Sequence, residues 1–254
     1  MNSPIALSLK DACRVYGSPP NTVVAVDHVT LSLKAGEFVA LMGPSGSGKS
    51  TLLNIAGALD RPTSGSVVVA GEDLAELDAA GLARVRRRNI GFVFQDFNLL
   101  PSLTAVENVA FPLEIDDWKV SRARSEAMRA LRLLDVDDLA DRLPEDMSGG
   151  QAQRVAIARA VVGNRRLLLA DEPTGALDSD TGAAVISLLR DRADEGSSVL
   201  LATHEHRFAA WADRTVFLRD GRLIGLSQPD DIDALLQLDT SREPGHHADP
   251  EAGQ

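Results

Sequence analysis

The chain has 254 residues, of which 44% are hydrophobic and only 4% aromatic, enough for one large domain with an aliphatic core. Its net charge of −11, from 26 basic and 37 acidic residues, argues against broad contact with nucleic-acid phosphates, so we expect no nucleic-acid partner. Cys13 is the only cysteine, which excludes an internal disulfide and fits a reducing compartment. The sequence has no run of eighteen apolar residues and no secretion signal, so we expect any membrane role to require a partner.

The first elements in chain order are predicted to be strands. Partial alternation of apolar and polar residues indicates strands over residues 5–16 and 22–33, joined by a turn containing Pro19 and Pro20. The apolar run Phe38–Met42 predicts a further strand.

A glycine-rich segment follows that strand and fits the phosphate-loop pattern G-x-x-x-x-G-K-[ST]. Backbone N–H groups in such a loop, with the positive end of the next helix, can surround a polyphosphate, so we predict that the chain binds a nucleoside triphosphate. Lys49 is expected to reach the terminal phosphates and the Ser50 hydroxyl to hold Mg²⁺. The predicted nucleotide-binding residues here are Gly43, Pro44, Ser45, Gly46, Ser47, Gly48, Lys49, Ser50 and Thr51.

The remaining pattern predicts an α/β protein. Helices are expected from 49 to about 58, within 104–143, from 148 to about 162, and over 181–193; strands are expected over 66–70, 90–95, 167–170, 198–202, 214–218 and 222–226. The predicted fold is a P-loop NTPase core with a mixed or parallel sheet, an antiparallel β subdomain and an inserted α-helical subdomain of about 96–163. Residues 1–239 would form this domain, and residues 240–254 a disordered tail.

Polar residues near the ends of the predicted core strands are candidates for catalysis. Asp171 ends an apolar strand and is a candidate Mg²⁺ ligand, and Glu172 is a candidate general base. Gln95 would place its amide toward the metal and the attacking water, and His204, which follows the apolar strand 198–202, is a further candidate. Together with Met42, these residues are expected to converge on one crevice at the carboxyl ends of the strands. The alternative for each polar residue is an ordinary cap, turn or solvated side chain.

A second candidate anion site lies about 20 residues before the strand that ends at Asp171. It consists of Ser148, Gly149, Gly150 and Gln151, with Ser148 as the predicted helix N-cap. Two glycines at a helix N-terminus allow a phosphate to approach the backbone closely. Because one chain then carries two separate phosphate sites, we expect one ATP to be shared between two chains.

In their order along the chain, these motifs resemble those of the nucleotide-binding subunit of ABC transporters. The resemblance covers residue 5 to about residue 226, and the stretches 52–57, 91–100 and 171–178 are similar to the lipoprotein-releasing and macrolide-exporter type of ATPase. It implies that Tyr16 stacks on adenine, that Gln95 binds Mg²⁺, and that Asp178 couples two sites across a dimer. Two departures are Met147, where leucine is usual, and Glu205, where aspartate is frequent.

The resemblance also implies the cofactors and partners. ATP and Mg²⁺ would be bound between two copies of this chain, and hydrolysis would drive an integral membrane permease that exports or extracts a lipid or peptide. Leu99, Leu100 and Phe111 would dock the permease, unless they are ordinary core residues, and would hold the chain at the cytoplasmic face of the membrane. The alternatives are an ABC ATPase that regulates a cell-envelope or division complex, one that acts on nucleic acid, or a small-molecule kinase.

Overall fold

A six-stranded mixed sheet forms the centre of the molecule in the computed structural model, which describes residues 4–227. The strand order is β10-β9-β3-β8-β7-β6, with β10 antiparallel to β9 and all other neighbours parallel. The bounds are Phe38–Met42 (β3), Ile90–Val93 (β6), Leu167–Asp171 (β7), Ser198–Ala202 (β8), Arg214–Arg219 (β9) and Arg222–Ser227 (β10).

Both faces of this sheet are buried, which explains why its central strands are continuous apolar runs. Alternate residues of β3 belong to two different hydrophobic clusters: Phe38 and Ala40 pack on one face, and Val39 and Leu41 on the other. Every residue of β3, β7 and β8 is buried.

An antiparallel sheet of order β2-β1-β4-β5 covers one face of the central sheet through the cluster that contains Val39. Leu52, Leu53 and Ile55 of the first helix lie in the same cluster. The elements are Ile5–Ser18 (β1), Asn21–Lys34 (β2), Ser64–Val69 (β4), Glu72–Asp73 (β5), Lys49–Ala56 (α1) and Ala79–Asn89 (α2).

Helices cover the other face. Three of them pack against one another between β6 and β7 in sequence: Ala105–Glu114 (α3), Val120–Arg132 (α4) and Gly149–Val161 (α5). The helices Ser179–Asp194 (α6) and His206–Ala209 (α7) contribute to the same hydrophobic cluster. Capping boxes begin α3, at Thr104 and Glu107, and α5, at Ser148 and Gln151, and the second confirms Ser148 as the predicted N-cap.

This architecture confirms the predicted fold class, with differences in detail. Helices α2 and α7 and strand β5 have no counterpart in the sequence prediction, the helical stretch 104–143 contains α3 and α4 followed by short 3₁₀ turns, and β6 ends at Val93. The predicted tail, 240–254, lies outside the described residues. Within residues 4–227, none of the helices has the length and hydropathy to cross a bilayer.

Candidate nucleotide-binding and hydrolysis site

The phosphate loop joins β3 to α1 and depends on its glycines. Gly48 has φ of 103°, and a Cβ built on it would lie 2.2 Å from the Ala25 backbone oxygen. A Cβ on Gly43 would lie 2.1 Å from the Leu218 oxygen. Side chains are therefore excluded at both positions, which keeps the loop backbone closely packed against its neighbours.

Lys49, the first residue of α1, is buried and holds the loop closed. Its Nζ donates to the backbone oxygens of Gly43 at 2.7 Å and Pro44 at 3.1 Å. These are hydrogen bonds of an ammonium to neutral acceptors, so an anionic phosphate could replace them with stronger bonds in which both partners are charged.

Asp171 at the end of β7 is a buried carboxylate close to α1. Burial raises the pKa of Asp171 above its usual value, Glu172 adds to this by repulsion, and the Ser50 hydrogen bond and Lys49 oppose it. A carboxylate in such a place is stabilised by a nearby cation. The hydroxyl of Ser50 and the carboxylate of Asp171 are hard oxygen donors, and with the Gln95 amide they form a set that fits Mg²⁺.

Glu172 and His204 form a pair at the carboxyl ends of β7 and β8. Glu172 adopts a left-handed backbone conformation, with φ of 46°, and its N–H donates to the Ala202 oxygen at 3.0 Å. This turns its carboxylate toward His204, whose Nδ1 lies 2.9 Å from Glu172 Oε1. A partly buried carboxylate next to an exposed imidazole can orient a water molecule and accept a proton from it.

These residues line one cleft of about 970 Å³. The predicted convergence of Gln95, Asp171, Glu172 and His204 is thus confirmed, and they share the cleft with the phosphate loop. The prediction for Met42 is wrong: it is the last residue of β3, and its side chain is buried in the core. The predicted residues that line the cleft are Ser45, Gly46, Gly48, Lys49, Ser50, Thr51, Gln95, Asp171, Glu172 and His204.

The residues of the second anion site and Asp178 do not line this cleft. The Ser148 hydroxyl accepts from the Gln151 N–H at 3.3 Å at the start of α5. Asp178 caps α6 by accepting from the N–H groups of Asp180 and Thr181, and the hydrogen bonds with Thr181 lower its pKa. Ser148 and Gly149 are exposed, so the N-terminus of α5 can meet a partner molecule.

Tyr16 is also absent from the cleft lining. Its hydroxyl donates to Asp60 at 2.8 Å, and the Arg14 guanidinium lies 4.4 Å from its ring centroid. Tyr16 pairs across the hairpin with Val23, which does line the cleft. Directly paired residues point to the same face of a sheet, so Tyr16 lies next to the cleft rather than in it.

Several cleft residues have no counterpart among the predicted ones. Asp220 and Gly221 come from the β9–β10 turn, Ala25 from β2, and Gln153 from α5. The turn is held by hydrogen bonds from Gly221 N–H to Ser47 O at 3.0 Å and from Asp27 N–H to Gly221 O at 2.8 Å. No motif marks the turn; the parallel pairing of β9 with β3 places it beside the phosphate loop, which follows β3.

Helix α5 is tied to the cleft through two side chains. Gln153 Nε2 donates to Pro173 O at 2.8 Å, just after Glu172. Arg159 donates to the carbonyl oxygens of Phe97 at 2.8 Å and Asn98 at 2.5 Å, and burial lowers the pKa of Arg159 to about 10. The N-terminus of α5 is therefore fixed relative to the segments that carry Gln95 and Glu172.

Comparison with known proteins gives consistent matches. A family model described as ABC transporter matches residues 26–175. The macrolide export ATP-binding/permease protein MacB of Brucella melitensis is 45% identical over 234 residues, covering 91% of this chain and 36% of MacB. The chain thus spans about a third of the length of that relative. The ABC transporter ATP-binding protein YvrO of Bacillus subtilis is 45% identical over 218 residues, covering 86% of this chain and 95% of YvrO.

The fold also matches a solved structure. The ATP-binding cassette MJ0796 of Methanocaldococcus jannaschii, described as a dimer in a post-hydrolysis state bound to ADP and Pi, superposes with a TM-score of 0.84 at 41% identity. The match covers 88% of this chain and 98% of MJ0796. Together these findings confirm the resemblance inferred from the motifs.

Proposed function

Since this chain belongs to the ABC transporter family of ATPases, we propose that it is the motor subunit of a transporter and works as a dimer around two Mg·ATP molecules. One observation carries the proposal. Lys49, Asp171 and Glu172 share a single cleft, whereas Ser148 and Asp178 of the same chain lie outside it. The second phosphate site would therefore act on the nucleotide of another copy.

Within one chain, the cleft residues would have different roles in ATP hydrolysis. Lys49 would leave its backbone acceptors and donate to the terminal phosphates, where negative charge accumulates in the transition state. Glu172 would accept a proton from the attacking water as the water oxygen bonds to the γ-phosphorus and the bond to ADP breaks. His204 would hold the γ-phosphate and water, and Gln95 would align the water. A bound Mg²⁺, held by Ser50, Asp171 and Gln95, would neutralise phosphate charge.

Between chains, the N-terminus of α5 would bind the γ-phosphate presented by the partner. The Ser148 hydroxyl, the backbone N–H groups of Gly149 and Gly150, and the helix dipole offer donors to an anion. Asp178 lies at the N-cap of α6, two residues after Ala176, and the Ala176 oxygen is 3.3 Å from a Cβ built on Gly150. Asp178 and the Ser148 site are thus neighbours, and Asp178 is proposed to couple the two sites. Tyr16, beside Val23, is proposed to stack on adenine.

The proposed permease contact is formed by apolar residues of α3 and of the loop before it. Phe111 and Leu100 are 39% and 38% exposed, whereas Leu99 is partly buried against the core. Large exposed apolar side chains are typical of protein contacts. Through this contact the chain would be peripheral at the cytoplasmic face of the membrane, without a nucleic-acid partner. Because MacB is named a macrolide export ATP-binding/permease protein, export is the proposed direction, with a lipid- or peptide-type substrate.

Two measurements test this function. Lys49→Ala should weaken ATP binding about 10- to 100-fold, the equivalent of one charge-assisted hydrogen bond, in equilibrium titrations with Mg·ATP. An unchanged ATP affinity in Lys49→Ala would show that Lys49 does not bind the nucleotide.

The permease contact is tested by affinity purification from detergent-solubilised membranes of the source cells. Phe111→Glu should lose a co-purifying integral membrane protein while keeping the basal ATPase rate. Ile224→Glu is the matched control, because Ile224 is an exposed apolar residue of β10, outside the helical region. If both variants retain the integral protein equally, Phe111 does not contact it. If no integral protein co-purifies at all, the proposed permease contact is wrong and the motor would act on another kind of partner.

A further inference from the structure

A β-bulge in the β1–β2 hairpin brings three metal-binding residue types together. Ala12 pairs with Val29 and Arg14 with Val26, so that Asp27 and His28 both lie opposite Cys13. Two residues against one is the definition of a bulge, and bulges redirect side chains. His28 has φ of 51° at this point, and its N–H donates to Cys13 Sγ at 3.2 Å.

The ligand atoms of these residues form a compact group. A thiol sulfur from Cys13, a carboxylate oxygen from Asp27 and an imidazole nitrogen from His28 all lie within 4.8 Å of one another. His28 Nε2 and Asp27 Oδ1 are 3.8 Å apart. Cys13 is only 7% exposed, so its sulfur lies at the buried side of the group, while the His28 side chain is 64% exposed.

The surrounding residues orient these ligand atoms. Asp11 Oδ1 lies 2.7 Å from His28 Nδ1; as an acceptor, this carboxylate places the ring hydrogen on Nδ1 and leaves the Nε2 lone pair facing Asp27. Carboxylates commonly orient metal-binding histidines in this way. Arg222 binds the other oxygen of Asp27, Oδ2, at 2.7 Å, which leaves Oδ1 directed at His28.

From this arrangement we propose that Cys13 Sγ, Asp27 Oδ1 and His28 Nε2 bind a Zn²⁺ ion. Thiolate, imidazole and carboxylate are the usual zinc ligands, with bonds of about 2.0–2.3 Å. Bonds of that length require tetrahedral ligand atoms roughly 3.3–3.8 Å apart. The exposed side chains of His28 and Asp11 shift together to close the remaining gap. The thiolate and the carboxylate balance the charge of the dication.

A water molecule completes the coordination. Asp27, His28, Thr30, Arg222 and Leu223 line a cavity of about 460 Å³, through which the ion can enter. The site is separate from the nucleotide cleft, because none of its three ligands lines that cleft. The proposed zinc site is nevertheless next to the nucleotide cleft, since the Asp27 N–H donates to the oxygen of Gly221, which lines the cleft.

Cobalt substitution provides a specific test. Cys13 is the only cysteine in the chain, so a thiolate-to-Co²⁺ charge-transfer band in the near ultraviolet can arise only from its sulfur. We expect the metal-free, untagged full chain to develop this band on Co²⁺ titration, to saturate at one ion per chain, and to lose the band when one equivalent of Zn²⁺ is added. His246 and His247 are replaced by alanine in every sample, so that they do not compete for the metal.

Two asparagine variants distinguish ligation from a merely structural role. His28→Asn removes a ligand and Asp11→Asn removes the orienting carboxylate; both positions have positive φ, of 51° and 52°, which asparagine tolerates well. We expect His28→Asn to abolish the band and Asp11→Asn to weaken Zn²⁺ affinity about 10- to 100-fold. The control, His206→Asn, should change nothing. Absence of the band in the parent chain, or a band that survives in His28→Asn, would overturn the site.

Discussion

Gly149→Ala is expected to have opposite effects on two properties of the chain: it should raise the stability of the fold and weaken ATP-dependent dimerisation. Gly149 is the first residue of α5 and is exposed. A Cβ added there meets only Phe97 Cζ, at 3.9 Å, and the backbone is not left-handed. Alanine in place of glycine in a helix stabilises by about 0.5–1 kcal/mol. For a chain of this size, 1 kcal/mol raises Tm by about 2–4 °C.

The same methyl group should weaken the ATP-dependent dimer. It would occupy the space through which the partner's γ-phosphate approaches the α5 backbone, and the loss of one charge-assisted hydrogen bond corresponds to about 10- to 100-fold in affinity. The assay is light scattering after size exclusion in the Glu172→Gln background with Mg·ATP, alongside thermal unfolding without nucleotide. Gly225→Ala is the control, since a Cβ there has nothing within 4 Å. An unchanged dimer affinity in Gly149→Ala would refute the close-approach argument for α5.

Three further predictions concern single positions. Burial raises the Asp171 pKa, so the nucleotide-free chain should lose stability as pH rises through that pKa. In thermal unfolding, Asp171→Asn should remove this loss and raise Tm at pH 7. In nucleotide titrations, the same variant should lose its Mg²⁺-dependent affinity. Tyr16→Ala should weaken ATP binding by about 1–3 kcal/mol, typical of one base–aromatic stack, whereas Tyr16→Phe should retain it. Gly91→Ala should destabilise the chain by more than about 3 kcal/mol in denaturant unfolding, because its Cβ would lie 2.0 Å from the Ala160 oxygen.

The sequence predicts the central sheet and the cleft well because both depend on local patterns. Strands β3, β7 and β8 contain the apolar runs 38–42, 167–170 and 199–202. Parallel strands place their carboxyl ends at one edge, so the meeting of Asp171, Glu172 and His204 follows from topology alone. The caps at Ser148 and Thr104 can likewise be predicted, because the two residues of each capping box are only three positions apart in sequence.

What the sequence hides depends on contacts that are distant along the chain. Helix α2 carries little apolar periodicity, since Val85 is its only large buried residue; its one readable mark is the N-cap Asp78. Met42 ends a strand as Asp171 does, yet it points into the core, because the direction of a side chain at a strand end follows from the pleat and not from its position. The β9–β10 turn reaches the cleft only through strand pairing. The group of Cys13, Asp27 and His28 depends on a β-bulge, which no sequence motif predicts.

The most direct test of a shared nucleotide is sedimentation of Glu172→Gln with Mg·ATP, with bound ATP counted in the same sample. We expect the 27.1 kDa chain to sediment as a dimer with one ATP per chain, and added Ser148→Arg to restore the monomer while each chain still binds ATP. A monomer fully loaded with ATP in the Glu172→Gln protein, or a dimer that persists with Ser148→Arg, would contradict it.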